Sequence, residues 1–317
     1  MPMRRAVTCA VALMGLTAAP AMAQEGGANA RRTLGGHTFI PNAFLGDPFV
    51  TTTVSTATGA ARAVGLEVPI LDLDSNVVGT LTGNVAFLSL SMRYQQRLAS
   101  WVAVRGEVQA VGRLGTSTVS LIAEGASAVY GGSVGATFRL LQGRRAILSA
   151  VADYGSNTQY RISPLDFARG VIENGGLDTS VTLLDDGSNW HLTGGLRGAY
   201  AFSPMVGVRG LVELGPKGRF LPNEENATYV QAGAVVSLDF ASRGVPVGLT
   251  GAYEYLSESN EADDIGGASN AGGLGIYYTG ETQFAVGLDV AWQRISQRGT
   301  DNALNLGQVR ISLRYDF

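Results

Sequence analysis

The stretch Gly307-Gln308-Val309-Arg310-Ile311-Ser312-Leu313-Arg314-Tyr315-Asp316-Phe317 alternates without a break. Val309, Ile311, Leu313, Tyr315 and Phe317 fall on one side of an extended chain. Gln308, Arg310, Ser312, Arg314 and Asp316 fall on the other. Successive side chains of a β-strand point to opposite faces, so this is a strand between two different media. Its apolar side finishes in two aromatic rings, Tyr315 and Phe317, as in an aromatic girdle at a membrane interface.

The same alternation recurs upstream. Ala86, Leu88, Leu90, Met92 and Tyr94 are separated by Ser89, Ser91, Arg93 and Gln95. Val102, Val104, Val108 and Ala110 alternate with Arg105, Glu107 and Gln109, and Val134, Ala136, Phe138 and Leu140 with Ser133, Thr137 and Arg139. A strand over about 145–155 carries Asp153 on its polar side. The hairpin 189–202 with 205–215 sets Trp190, Leu192, Leu196, Tyr200 and Phe202 against His191, Thr193 and Arg197, then Val206, Val208, Val212 and Leu214 against Arg209 and Glu213. Further strands are predicted near 229–241, 246–257, 271–280 and 282–296. A twelfth is assigned to 49–73, although Pro69 weakens any strand that crosses it.

Predicted connections alternate short (near 97–100, 142–145, 203–205 and 242–246) and long (near 113–128, 157–188, 216–227, 257–271 and 297–303). Tight turns at one end and long loops at the other are the asymmetry of an outer-membrane barrel, with both termini at the short-turn, periplasmic end. The terminal strand and its final Phe317 resemble the closing strand of bacterial outer-membrane β-barrels, porin- or transporter-like, with no single family matched. That resemblance implies recognition of Phe317 by the outer-membrane assembly machinery, with membrane lipid and lipopolysaccharide as surroundings. The expected fold is all-β: a closed antiparallel up-and-down transmembrane barrel over 49–317 of about twelve strands, with ten or fourteen as alternatives.

The start of the chain is consistent with export. Arg4 and Arg5, the apolar run Ala6–Leu16 and the small-residue site Ala21-Met22-Ala23 read as a signal peptide over 1–23. Cys9 lies inside it, too early for lipidation, and its removal leaves no cysteine for a disulfide or thiolate site. Charged residues are 15% of the chain, well below the usual quarter, and no apolar run reaches the about 18 residues of a spanning helix. A net charge of −3 gives no reason to expect a nucleic-acid partner. Residues 24–48 alternate poorly and read as a periplasmic lead-in or a plug tucked into the barrel mouth.

A charge facing lipid at mid-bilayer costs about 2–4 kcal/mol for Arg or Lys, so the polar sides of these strands must face the lumen. That lining is Arg93, Arg105, Glu107, Arg139, Asp153, Arg197, Arg209, Glu213, Asp239, Glu254, Asp289, Arg310 and Arg314, with His191 at the outer rim. These groups either pair across a closed interior or line a wet channel. Eight strands are filled by side chains and twelve are wider, which favours a channel. Ser163–Glu173 has helical spacing at Phe167, Val171 and Ile172. With Leu165 it is a candidate constriction folded in from an outer loop.

Other motifs carry little. Asp72-Leu73-Asp74 opens like a calcium loop but has Val77 and Gly83 where Gly and Glu are needed. The acidic residues Glu258, Glu261, Asp263 and Asp264 read as a solvated loop. His37 precedes the barrel, and His191 has no nucleophile motif beside it, so no enzyme, metal site or cofactor is expected. The expected function is a channel or transporter for small polar or semi-polar solutes. The alternative is a structural or surface-interaction barrel with a salt-bridged, closed interior.

Overall fold

The computed structural model describes residues 32–71, 77–116, 125–162, 184–219, 227–259, 267–297 and 303–317. A two-residue pair, β1 (Thr33–Leu34) and β2 (His37–Thr38), precedes the barrel. The barrel strands are β3 (Thr53–Leu71), β4 (Val77–Ala99), β5 (Val102–Gly115), β6 (Ala126–Gln142), β7 (Ala146–Ile162), β8 (Leu184–Ala201), β9 (Val206–Arg219), β10 (Ala227–Asp239), β11 (Val247–Ser259), β12 (Gly267–Tyr278), β13 (Phe284–Gln297) and β14 (Ala303–Asp316). Each pairs antiparallel with its sequence neighbours, and the twelve form a closed barrel.

Closure is made by the alternating terminal strand. β14 pairs with β3 from Asn305↔Val64 to Asp316↔Thr53, and the Phe317 amide donates to the Thr52 carbonyl at 3.0 Å. Closure leaves the body of the barrel without an open edge, which removes the aggregation hazard of an unpaired ladder there.

The twelfth strand, expected within 49–73, is β3, and it runs through Pro69. There Pro69 lies opposite Thr80, in a stretch flanked among the described residues by β4 alone and lying between register shifts at Ala63/Leu66 and Ile70/Leu71. A proline without an N–H is tolerated in a strand at such irregularities. Several strands also run beyond their predicted limits at the long-loop end. β4 begins at Val77 rather than near 85, β7 continues to Ile162, and β8 begins at Leu184 rather than 189. Alternation marks a strand only where its two faces meet different media. Where both meet water the ladder continues and the sequence signal disappears.

Short links join Ala99 to Val102, Gln142 to Ala146, Ala201 to Val206, Asp239 to Val247 and Tyr278 to Phe284. The fourth contains a 3₁₀ turn, Phe240–Arg243. The Asp239 side chain caps it by accepting from the Ala241 amide at 3.0 Å, and Gly244 ends it at φ 79°. That left-handed conformation is one a glycine adopts without steric cost.

The outward register is apolar and exposed, as at Leu88, Leu90, Val108, Val212, Leu274 and Ile311. Aromatic residues gather on it near the short-turn end. Tyr315 and Phe317 meet edge-on at 5.0 Å, as do Tyr200 and Phe202, and Trp101 stacks on Phe138 at 6.2 Å. Two arginines break the pattern: Arg62 and Arg294 lie on the outward register toward the long-loop end, flanking Gly307 and Asn305 of β14. A charge there costs only about 0–1 kcal/mol, because the penalty fades toward the interface.

Candidate functional site

The candidate site is the lumen. The inward register brings the predicted residues of β5, β7, β8 and β9 into one ion-paired chain. Arg105 donates through Nε to Asp153 Oδ1 at 2.9 Å, and its guanidinium also bonds the Thr137 hydroxyl at 2.6 Å. Asp153 lies 3.7 Å from Arg197, whose Nε donates to Glu213 at 2.6 Å. Arg93 and Glu107 pair at 2.6 Å on neighbouring strands. Glu254 accepts from the Gln231 amide, and Asp289 accepts from the hydroxyl of the buried Tyr277. Asp239 ends its strand as the cap described above and accepts from Thr279 at 2.9 Å. Arg139 lies at the short-turn end, where its guanidinium donates to Gln142 in an exposed position.

His191 is placed differently from expectation. Because β8 begins at Leu184, His191 is not on the rim but within the wall. It covers Gly155 and stacks on the inward ring of Tyr229 at 6.4 Å. The candidate constriction at Leu165, Phe167, Val171 and Ile172 lies outside the described residues.

The lumen also holds residues 32–52. Two Asx-type turns shape this segment: Asn42 Oδ1 accepts from the amides of Phe44 and Leu45 at 2.9 and 3.2 Å, and Asp47 Oδ1 accepts from the Phe49 amide at 3.2 Å. The segment enters at the short-turn end, where the Gly35 amide donates to the Arg144 carbonyl at 2.7 Å. It rises to Asn42 and Ala43, which contact Asp289 and Arg310, and Phe44 lies under the Arg310 guanidinium at 4.8 Å. It then descends. The Pro48 carbonyl accepts from Ser149 at 2.6 Å, and the Phe49 and Thr51 carbonyls accept from Gln95 at 2.9 and 3.0 Å.

Apolar side chains of this segment fit hollows made by inward glycines. A Cβ at Gly233 would approach Leu45 to 2.6 Å, one at Gly207 would overlap the His37 ring, and one at Gly248 would overlap Ile40. Leu34, Phe39 and Phe49 are buried with Ile147, Ala199 and Ala201 of the wall. Leu45 is buried with Leu211 and Val235.

Polar anchors hold the rest. Arg32 donates through Nε to Asp316 at 2.7 Å and also bonds the Phe39 carbonyl at 2.7 Å. Arg314 pairs with both Asp47 and Asp316. Burial alone would raise the Asp47 carboxyl, but Arg314, Arg209 and Arg32 outweigh it and hold the group well below the usual carboxylate range. Burial lowers Arg32 to about 10, helped by Arg314 and opposed by Asp316 and Asp47. His37 is also lowered by burial, although the Pro204 carbonyl and Asp239 oppose the shift. Its Nδ1 lies 3.2 Å from the Pro204 carbonyl and its Nε2 2.8 Å from the Ser237 hydroxyl. A carbonyl can only accept, so neutral His37 donates from Nδ1 and accepts from Ser237 at Nε2.

Sequence reasoning missed the part played by Arg32, His37, Asn42, Asp47 and Asp316, because none of the first four lies in an alternating strand. The available signal was the set of inward glycines at 207, 233, 248 and 273, which leave room for something other than wall side chains.

No family model matches the chain, and no curated protein matches it. Among solved structures it is similar to the translocator domain of the autotransporter NalP from Neisseria meningitidis, at 11% identity over 87% of this chain and 90% of that one, with a TM-score of 0.50. It is also similar to the β domain of the Bordetella autotransporter BrkA, at 12% identity, 84% and 100% coverage and a TM-score of 0.48. The KdgM porin in complex with disordered oligogalacturonate aligns at 10% identity, 84% and 99% coverage and a TM-score of 0.41. At 11% identity and a TM-score of 0.50, the likeness to the NalP translocator domain speaks to architecture alone: the chain has the fold of an outer-membrane β-barrel.

Proposed function

We propose that this chain is an outer-membrane channel for small polar or semi-polar solutes, closed in the described state by its own residues 32–52. The observation that carries this reading is the kind of material filling the lumen. A separate peptide segment does the filling, seated on glycine hollows and held by a few ion pairs. A barrel of twelve strands is wider than its side chains alone would fill, by extrapolation from eight strands. The alternative, a closed scaffold, is supported by the continuous chain Arg105–Asp153–Arg197–Glu213 along the inner wall.

Planar-bilayer conductance separates the two. Refolded mature protein should show rare, brief openings, and a variant lacking 24–48 should show sustained stepwise conductance. Silence from both would support the scaffold. A conductance step that appears only when 163–173 is deleted would move the closure to the outer loop.

A further inference from the structure

The outward wall carries an open apolar groove of about 800 Å³ across β10–β14. On one rung of the ladder Ala234, Gly272 and Gly307 alternate with the rings of Tyr253 and Trp292, and all five line the groove. The hollows between the rings are real space: a Cβ added at Gly272 or Gly307 would meet nothing within 4 Å. The rung slants. Gly307 lies nearer the long-loop end of its strand, whereas Ala234 lies nearer the short-turn end of its own. The groove therefore runs from the long-loop interface down into the apolar band.

Its upper end abuts the two outward arginines. Arg62 is directly cross-strand from Gly307, and Arg294 follows Trp292 on the same face, opposite the exposed Asn305. Both guanidinium groups are exposed, and among the described residues neither has a hydrogen-bond or ion-pair partner. No Asp or Glu of β10–β14 shares their register. Their backbones stand two strand spacings apart, roughly 10 Å, so the long side chains can converge on one group between them. A guanidinium fork matches phosphate oxygens, and cations at a membrane surface are drawn to anionic headgroups.

We propose that Arg62 and Arg294 grip a phosphate of lipid A, the phosphorylated lipid of the outer leaflet, while one of its acyl chains lies in the groove beneath them. A second copy of the chain fits less well. Two barrels in one membrane would be related by an axis along the membrane normal, which sets arginines against arginines at one height. Binding on the outer wall does not depend on whether the barrel conducts, so it can fail or succeed independently of the channel reading.

The test uses refolded mature protein in detergent, titrated with bis-phosphorylated lipid A and followed by native mass spectrometry. One retained lipid A per barrel is expected, weakened about tenfold in the Arg62→Gln/Arg294→Gln double variant and by a similar factor when the lipid is dephosphorylated. Gly272→Leu combined with Gly307→Leu fills the hollows from the lipid side, where no protein atom stands in the way. It should also weaken retention, with the folded-barrel gel mobility unchanged. Three results would overturn the proposal. One is equal retention by the double Gln variant. Another is equal retention of the dephosphorylated lipid, which would mark a non-specific lipid of the belt. The third is a protein dimer that the glycine variant abolishes, which would give the groove to a second copy.

Discussion

The lower and upper halves of the lumen use the same chemistry in different surroundings. At the short-turn end, Arg32 and Asp316 pair with side-chain exposures of 3% and 9%. Higher up the wall, Arg93 and Glu107 pair at an equally short distance with exposures of 40% and 21%. What differs is the peptide lying against the first pair. The 32–52 segment removes water from one set of ion pairs and leaves the other wet. Breaking a buried pair is costly because it strands a charge, whereas an exposed pair contributes little.

The largest effect should come from the buried anchors. Asp47→Ala leaves the Arg314 guanidinium without one of its two carboxylates and should destabilise the seated segment by about 3–5 kcal/mol. Amide hydrogen exchange over 39–50 should accelerate accordingly while the barrel strands stay protected. Next comes a steric break. Gly207→Val places side-chain atoms where the His37 ring sits, and overpacking of this kind costs about 1–3 kcal/mol. Limited proteolysis should cut 32–50 in this variant, with the folded-barrel gel mobility unchanged. Gly106→Ala, whose Cβ would meet nothing, is the matched control.

Acid should have a smaller effect, in two steps. His37 is held neutral, with its folded value below the ordinary 6.5, so its contribution is full above that pH and is lost as pH falls toward the folded value. Cleavage of 32–50 should therefore rise as pH drops below about 6.5, and His37→Gln should flatten that rise. Asp47 adds a second step. Its depressed value means stability is lost only as pH falls below the unfolded value of about 3.9. The smallest effect belongs to the wet pair. Arg93→Gln should change stability by about 0.2–1 kcal/mol and leave cleavage of the segment unaltered. A loss as large as that of Asp47→Ala would erase the distinction between the two halves.

The barrel was legible because each strand separates lipid from a polar interior, and that contrast writes itself as alternation. Gly307–Phe317 shows this most clearly, and its side assignment placed Arg310 and Arg314 inward. The 24–48 segment was legible only as one of two alternatives, a lead-in or a plug; its contacts were not legible, because its environment is set by surfaces far away in sequence. His37 meets Ser237, Leu45 meets Gly233, and Asp47 meets Arg314. Each contact joins positions with no local pattern in common. Pro69 misled in the opposite sense: a local rule argued against a strand there, but Pro69 lies beyond the β14 pairing, where among the described residues only β4 flanks β3.

The path of the 32–52 segment is a U. It comes in beside Arg144 at the short-turn end, reaches Asp289 and Arg310, and leaves past Gln95 to join the first barrel strand at Thr53, again at the short-turn end. A loop whose two legs share one mouth can be drawn out like a cork on a ribbon, with no strand unzipped and no chain end pulled through the cylinder. Withdrawal along that path would break the side-chain anchors and the Gly35–Arg144 backbone bond but no rung of the barrel ladder.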